Sequence, residues 1–304
     1  MSFQSKPRVM VLGSKGQLGI ELCGALPSIA EVLAYSRSEV DLTDSAALRA
    51  AVREVRPDFI VNAAAYTAVD RAESEPELAY SINAKAPQVL AEEALRCGAW
   101  LIHFSTDYVF DGSKNTPWLE TDIPHPLSIY GRSKLEGERA IVSSGSRHLI
   151  LRTSWVYAAH GNNFLRTMLR LAQERSRLTI VGDQIGAPTA AHELARGVRL
   201  ILGKLMNSSE SETESGIFHM TCGGSTSWFG FAQAIFSMTA QTISSPELAP
   251  ISTEEYKTAA PRPRYSVLNG DKLERTFYFR LAPWQDALAE VMNQVNGSCM
   301  KARQ

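Results

Sequence analysis

No run of apolar residues in this chain approaches the roughly 20 needed to span a bilayer, so no membrane partner is expected. No basic cluster stands out and the formal net charge is −1, which argues against nucleic acid as a partner. The four cysteines, Cys23, Cys97, Cys222 and Cys299, are scattered, and none belongs to a C-x-x-C pair. The spacing therefore suggests neither zinc nor a disulfide framework, and free buried thiols in a cytosolic protein are expected. The first eight residues are short and polar and lack the apolar stretch of a secretory signal, so a cytoplasmic location is expected. No internal repeat is present.

What the chain does contain is alternation. With 304 residues and 44% hydrophobic content, it has room for one large α/β domain or for a domain plus a smaller lobe. Compact apolar runs at 9–12, 31–35, 59–62 and 100–104 read as strands. Helical spacing fills 17–26 and 44–55, with Asp44 as N-cap. Ser74-Glu75-Pro76-Glu77 reads as a capping box opening a helix that reaches Arg96 and stops at Gly98. Strands alternating with such helices predict a doubly wound parallel sheet covered on both faces, with ligands at the strand C-termini. The second half is less regular, with a strand at 148–152, a helix at 163–174 and a strand at 178–181. Residues 182–189 read as loop, 207–215 as a solvated Ser/Glu-rich loop, and 260–264 as an ordered turn.

Two features carry chemistry. Gly13, Gly16 and Gly19 follow a strand and open a helix, the context in which a glycine triplet suits a pyrophosphate; a turn without ligand is the plainer alternative. Tyr130 and Lys134 are four apart, so a helix puts them on one face, where an ammonium would lower the tyrosine pKa. With 9 tyrosines in the chain, that spacing alone is within reach of chance. At the end of the second strand stand Ser36 and Arg37, with no carboxylate until Glu39, which favours NADPH over NADH unless Arg37 is an ordinary surface residue. Lys15 offers a second cation, and Asp41 and Leu42 a border for adenine. Ala63, Ala64 and Ala65 leave room for a cofactor backbone or, alternatively, for tight helix packing.

Taken together, the motifs resemble those of the extended short-chain dehydrogenase/reductases. The resemblance covers nearly the whole chain and rests on Gly13-x-x-Gly16-Gln17-Leu18-Gly19, the segment from Asn62 through Tyr66-Thr67 to Asp70, Ser105-Thr106-Asp107-Tyr108-Val109-Phe110, and Tyr130-x-x-x-Lys134. It continues through Arg152-Thr153-Ser154-Trp155-Val156-Tyr157, Gly161-Asn162-Asn163-Phe164 and Gly186-Ala187-Pro188-Thr189. It implies a Rossmann-like domain, mainly residues 1–154, and a smaller C-terminal substrate lobe, mainly 155–304, interleaved with the sheet. The implied reaction is hydride transfer from NADPH, or NADH, to the C4 carbonyl of dTDP-4-dehydro-L-rhamnose, giving dTDP-L-rhamnose for cell-surface polysaccharide. Tyr130, Lys134 and Thr106 would be catalytic. Gly13, Gly16, Gln17, Leu18, Gly19, Ser36, Arg37, Asp41, Leu42, Ala63, Ala64, Ala65, Tyr66, Thr67 and Phe104, with Tyr130 and Lys134, would hold the cofactor. Thr106, Asp107 and Trp155 would contact the sugar nucleotide, unless Trp155 is a core aromatic.

The family pattern is broken in two places. Ser36 stands where some members carry an acid. His192 stands where a glutamate would join Glu21 in holding Mg2+ at a dimer interface, with Glu193 one residue further on, so no metal ligand is assigned and a homodimer stays open. Another nucleotide-sugar reductase or epimerase, or a non-catalytic NADP-binding regulatory subunit similar to the β subunit of methionine adenosyltransferase, are the alternatives.

Overall fold

The computed structural model describes residues 6–207, 215–239 and 245–301. The first half runs β1 (Arg8–Leu12), α1 (Gln17–Ala25), β2 (Glu31–Tyr35), α2 (Ser45–Val55), β3 (Phe59–Asn62), α3 (Val69–Ala72), α4 (Pro76–Tyr80), a π-helical turn (Ser81–Lys85), α5 (Ala86–Cys97), β4 (Trp100–Thr106), α6 (Ile129–Ser143) and β5 (His148–Thr153). The second half runs β6 (Val156–Tyr157), α7 (Phe164–Glu174), β7 (Arg177–Val181), β8 (Ile185–Gly186), β9 (Thr189–Ala190), α8 (Ala191–Asn207), β10 (Gly216–His219), β11 (Thr226–Ser227), α9 (Trp228–Ser237), β12 (Glu247–Ile251), α10 (Asp271–Phe277) and α11 (Trp284–Lys301).

Six strands form one parallel sheet in the order β10-β5-β4-β3-β1-β2. Its order reverses between β1 and β3, so a crevice opens outside their carboxyl ends. Both faces are buried, and successive strand residues feed opposite cores. Val9, Val11, Phe59, Val61, Ile102 and Leu149 pack on one side with residues of α1, α7, α8, α9 and α11. Met10, Leu12, Ile60, Leu101 and Ile150 pack on the other with α2 and α5. β10, from beyond residue 200, closes the sheet edge beside β5.

Asp44 caps α2 by accepting from the amides of Ala46 and Ala47. The capping box at Ser74 does not form: Ser74 turns its hydroxyl back to the carbonyl of Arg71, in the last turn of α3, and Glu75 stands at the N-cap without a side-chain capping bond. Pro76 does occupy the first turn, and Gly98 ends α5 in the left-handed region at φ 73°. The stretch from 182 to 189 is not plain loop, because β8 pairs with β11 and β9 with β6. Residues 208–214 of the Ser/Glu-rich stretch lie outside the described residues, as does the side chain of Cys299. Cys23, Cys97 and Cys222 are free, but only Cys222 is buried and Cys97 is exposed at the end of α5.

Beneath the crevice lies a buried ion pair. Arg152 of β5 forks onto Glu138 of α6, Nε to Oε1 at 2.9 Å and Nη2 to Oε2 at 2.6 Å. The Ser105 hydroxyl of β4 donates to the same carboxylate at 2.5 Å. Truncating one partner leaves a buried charge alone, so Glu138→Ala should destabilise the fold by about 3–5 kcal/mol. Urea unfolding checks this; a loss below about 1 kcal/mol, the range of an exposed pair, would contradict it.

Candidate active site

A cleft of 640 Å³ runs along the carboxyl edge of the sheet across the reversal point. At its floor the glycine turn is built by close approach. Gly13 adopts φ +81°, and its amide and that of Ser14 both donate to the Tyr35 carbonyl at the end of β2. A Cβ on Gly19 would lie 2.0 Å from the Gly13 carbonyl oxygen, so only glycine lets α1 begin here. Gly16 is the N-cap and no side chain caps α1, which leaves its first amides and positive end for an anion. Gly13, Gly16, Gln17 and Leu18 line the cleft; Gly19 packs behind it.

The other strand ends complete the walls. Ser36, Arg37, Asp41 and Leu42 line the side beyond β2. Arg37 is 76% exposed and its Nε lies 3.6 Å from Asp41. The amide and hydroxyl of Thr43 hold the Asp41 carboxyl below the usual range. Ala63, Ala64, Ala65, Tyr66 and Thr67 follow β3 into the wall. Asn83, buried in the π-helical turn, fixes that segment by bonding both the amide and the carbonyl of Tyr66, and its amide also donates to Ser133 of α6. The Tyr66 phenol is committed to Glu75 at 2.6 Å.

Ser128 caps α6 through the Gly131 amide, so Tyr130 and Lys134 fall in its first two turns and both line the cleft with Phe104. Thr106, the last residue of β4, donates to Asp107 at 3.0 Å and lies close enough to the Tyr130 phenol to pull its pKa down. Thr106, Asp107 and Trp155 lie outside the cleft wall itself. Burial pushes Asp107 up to about 6, against the opposing bonds of Ser266 and Thr106.

One expectation from the spacing is corrected. The Lys134 ammonium does not lower Tyr130 here; burial pushes the phenol up to about 12, partly countered by Thr106. Lys134 is instead engaged elsewhere, its Nζ donating to the Phe104 carbonyl at 2.6 Å and lying 3.2 Å from His103 Nε2, and burial lowers it to about 8. His103 pairs across the sheet with Asn62. The Ala64 amide fixes the Asn62 oxygen, so the Asn62 NH2 group faces His103 Nδ1 at 3.1 Å and makes it an acceptor.

Trp155, at φ +46°, is half-buried. It stacks on Trp228 with ring centres 3.5 Å apart and planes 6° from parallel, and a Cβ on Gly186 would touch its indole at 2.5 Å. The reading of the sequence missed Trp228 and Asn83. It also missed Thr153, Val156, Gly161 and Asn162 of the cleft wall. The Gly-Asn-Asn-Phe segment carried a signal for the last two: Asn163 caps α7 and donates to Gln17 at 2.7 Å, drawing that loop over the start of α1.

The residues weighed for a metal are separated. Glu21 pairs with His160 at 2.9 Å and His192 with Glu290 at 3.1 Å. Glu193 is buried against the Arg196 fork and the Ala282 amide, as the 100° turn per residue requires. Among the described residues, no three His, Cys, Asp or Glu side chains gather as ligands. None of the described helices is long and apolar enough to cross a membrane.

Residues 7–296 match the family described as the RmlD substrate binding domain. The chain belongs to that family. It is 44% identical over 284 residues to a dTDP-4-dehydrorhamnose reductase of Sinorhizobium fredii, covering 92% of this chain and 95% of the relative. It is 41% identical over 294 residues to the enzyme of that name from Escherichia coli, covering 94% and 97%. The crystal structure of dTDP-4-dehydrorhamnose reductase from Bacillus anthracis in complex with NADP superposes with a TM-score of 0.87 at 37% identity, covering 95% of this chain and 99% of that one. The fold is thus the Rossmann-like extended short-chain dehydrogenase/reductase fold of the RmlD family.

Burial lowers His103 well below the ordinary imidazole range, with the Lys134 charge adding to the effect. Its ring proton resonances should therefore not titrate between about pH 5.5 and 8. An NMR midpoint inside that window would contradict the geometry.

Proposed function

We propose that this chain uses NADPH to reduce the C4 carbonyl of dTDP-4-dehydro-L-rhamnose, yielding dTDP-L-rhamnose as a precursor of cell-surface polysaccharide. The observation that carries the reading is that Tyr130 and Lys134 both line a cleft that begins at the glycine turn, with Thr106 behind the wall beside the Tyr130 phenol. The names of the relatives, and the NADP in the Bacillus anthracis structure, support the same substrate and cofactor. The residues present suit a dinucleotide: Gly13 and Gly19 bring the backbone close, α1 is uncapped, and the alanines after β3 keep the wall low.

A reduced nicotinamide in this cleft supplies the hydride. As the carbonyl oxygen gains charge, Tyr130 gives it a proton and Thr106 donates a hydrogen bond to the same atom. Lys134, as an ammonium, would hold the nicotinamide ribose hydroxyls. Asp107 and Trp155 contact the sugar nucleotide, and residues 155–304 mainly form the lobe that receives it. The setting is the cytoplasm, where nucleotide sugars of this kind would be drawn on.

Supplied with dTDP-4-dehydro-L-rhamnose and NADPH, the protein should consume the reduced nicotinamide, followed by its absorbance; no consumption above background would refute the reading. Tyr130→Phe should lower kcat about 10²- to 10⁴-fold while leaving NADP+ binding intact. Turnover near the parent level would remove Tyr130 as the proton donor. Lys134 carries its charge below about 8 in the unliganded protein and loses it above. The kcat/KM for NADPH should accordingly fall as pH rises through that value, and a profile flat from about pH 7 to 9.5 would contradict this role.

A further inference from the structure

Glu39 follows the end of β2 by four residues, yet its carboxylate returns to that strand end. Its Oε2 accepts from the Ser36 amide at 2.7 Å and from the Ser36 hydroxyl at 2.7 Å. Ser38 Oγ lies 2.9 Å from the same hydroxyl. Ser36 is buried, whereas Glu39 is exposed, and Ser36, Arg37 and Val40 line the cleft on either side of it. The Ser36 bonds hold the Glu39 carboxyl below the usual range, and Lys15, in the glycine turn, is close enough to add its field.

In a doubly wound sheet the adenosine ribose of a dinucleotide rests at the end of the second strand. An N–H and an O–H converging on one oxygen form a small anion site, and here a side chain of the protein fills it. A 2′-phosphate would need those two donors together with Arg37 and Lys15. A 2′-hydroxyl needs the opposite, an acceptor, and a carboxylate on Ser36 supplies one. We propose that Glu39 is the residue that sets the preference between NADH and NADPH. Seated on Ser36, it accepts the ribose 2′-hydroxyl of NADH; displaced from Ser36, it cedes the amide and hydroxyl to the 2′-phosphate of NADPH. The competition narrows a preference for NADPH that Ser36, Arg37 and Lys15 would otherwise make wide. The proposal rests on the reading of the cleft as a dinucleotide site.

Calorimetric titration of the parent protein and of Glu39→Gln with NADP+, NAD+ and 2′,5′-ADP tests it. The substitution is on the surface, and a thermal melt of each protein checks that the turn persists. Glu39→Gln should bind NADP+ and 2′,5′-ADP more tightly and NAD+ more weakly, moving the ratio of the two dinucleotide Kd values by about tenfold or more. Glu39→Asp, which keeps the charge, should restore part of the parent ratio. If the two Kd values change by the same factor, or neither changes, Glu39 is only the cap of its turn and the proposal fails. If the parent protein binds neither dinucleotide, the reading of the cleft itself falls and takes this proposal with it.

Discussion

The placement of α6 on the sheet is the constraint from which the site follows. Glu138 accepts from Arg152 of β5 and Ser105 of β4 in the buried interior. Three elements thus meet at one carboxylate, a single turn beyond Lys134. Such a pair adds little net stability over an apolar replacement, but it tolerates few alternative geometries. Its directional bonds set the rotation of α6, and that rotation turns Tyr130 and Lys134 to the cleft. Asn83 does the same from the other side, joining the wall after β3 to Ser133.

The unliganded cleft is arranged but not charged for chemistry. Burial pushes the Tyr130 phenol up and the Lys134 amine down, and Lys134 spends its protons on a backbone carbonyl beside a neutral histidine. Desolvation governs both groups because Nζ is directed toward β4 and not toward the phenol. A bound dinucleotide would bring hydroxyls that compete for the same ammonium. An acid–base pairing of the two would therefore be a property of the loaded cleft more than of the two side chains.

Much of the fold was legible because its signals are local. Strands buried on both faces read as short apolar runs, and Asp44, Pro76 and Gly98 mark helix ends through their own backbone chemistry. Gly13, Gly16, Tyr130 and Lys134 were legible for the same reason: a turn, a helix start and a four-residue spacing are all properties of neighbouring residues. Trp228 and Asn83 were not, since an aromatic in a helix and an asparagine within a π-helical turn look the same in sequence whether or not something docks on them.

The sequence by itself determined the class of fold, the glycine turn and the helical face bearing Tyr130 and Lys134, which are matters of period, spacing and motif. Only the tertiary structure decided where charges and hydrogen bonds come to rest. It showed Lys134 parked on Phe104 and His103, Trp155 laid flat on Trp228, and Glu193 turned inward to Arg196. It also returned a carboxylate to the end of β2, where the order of residues displays only Ser36 and Arg37. A hydrogen bond depends on position in space to within a few tenths of an ångström, and the turn after β2 that brings Glu39 back supplies a position that no spacing along the chain records.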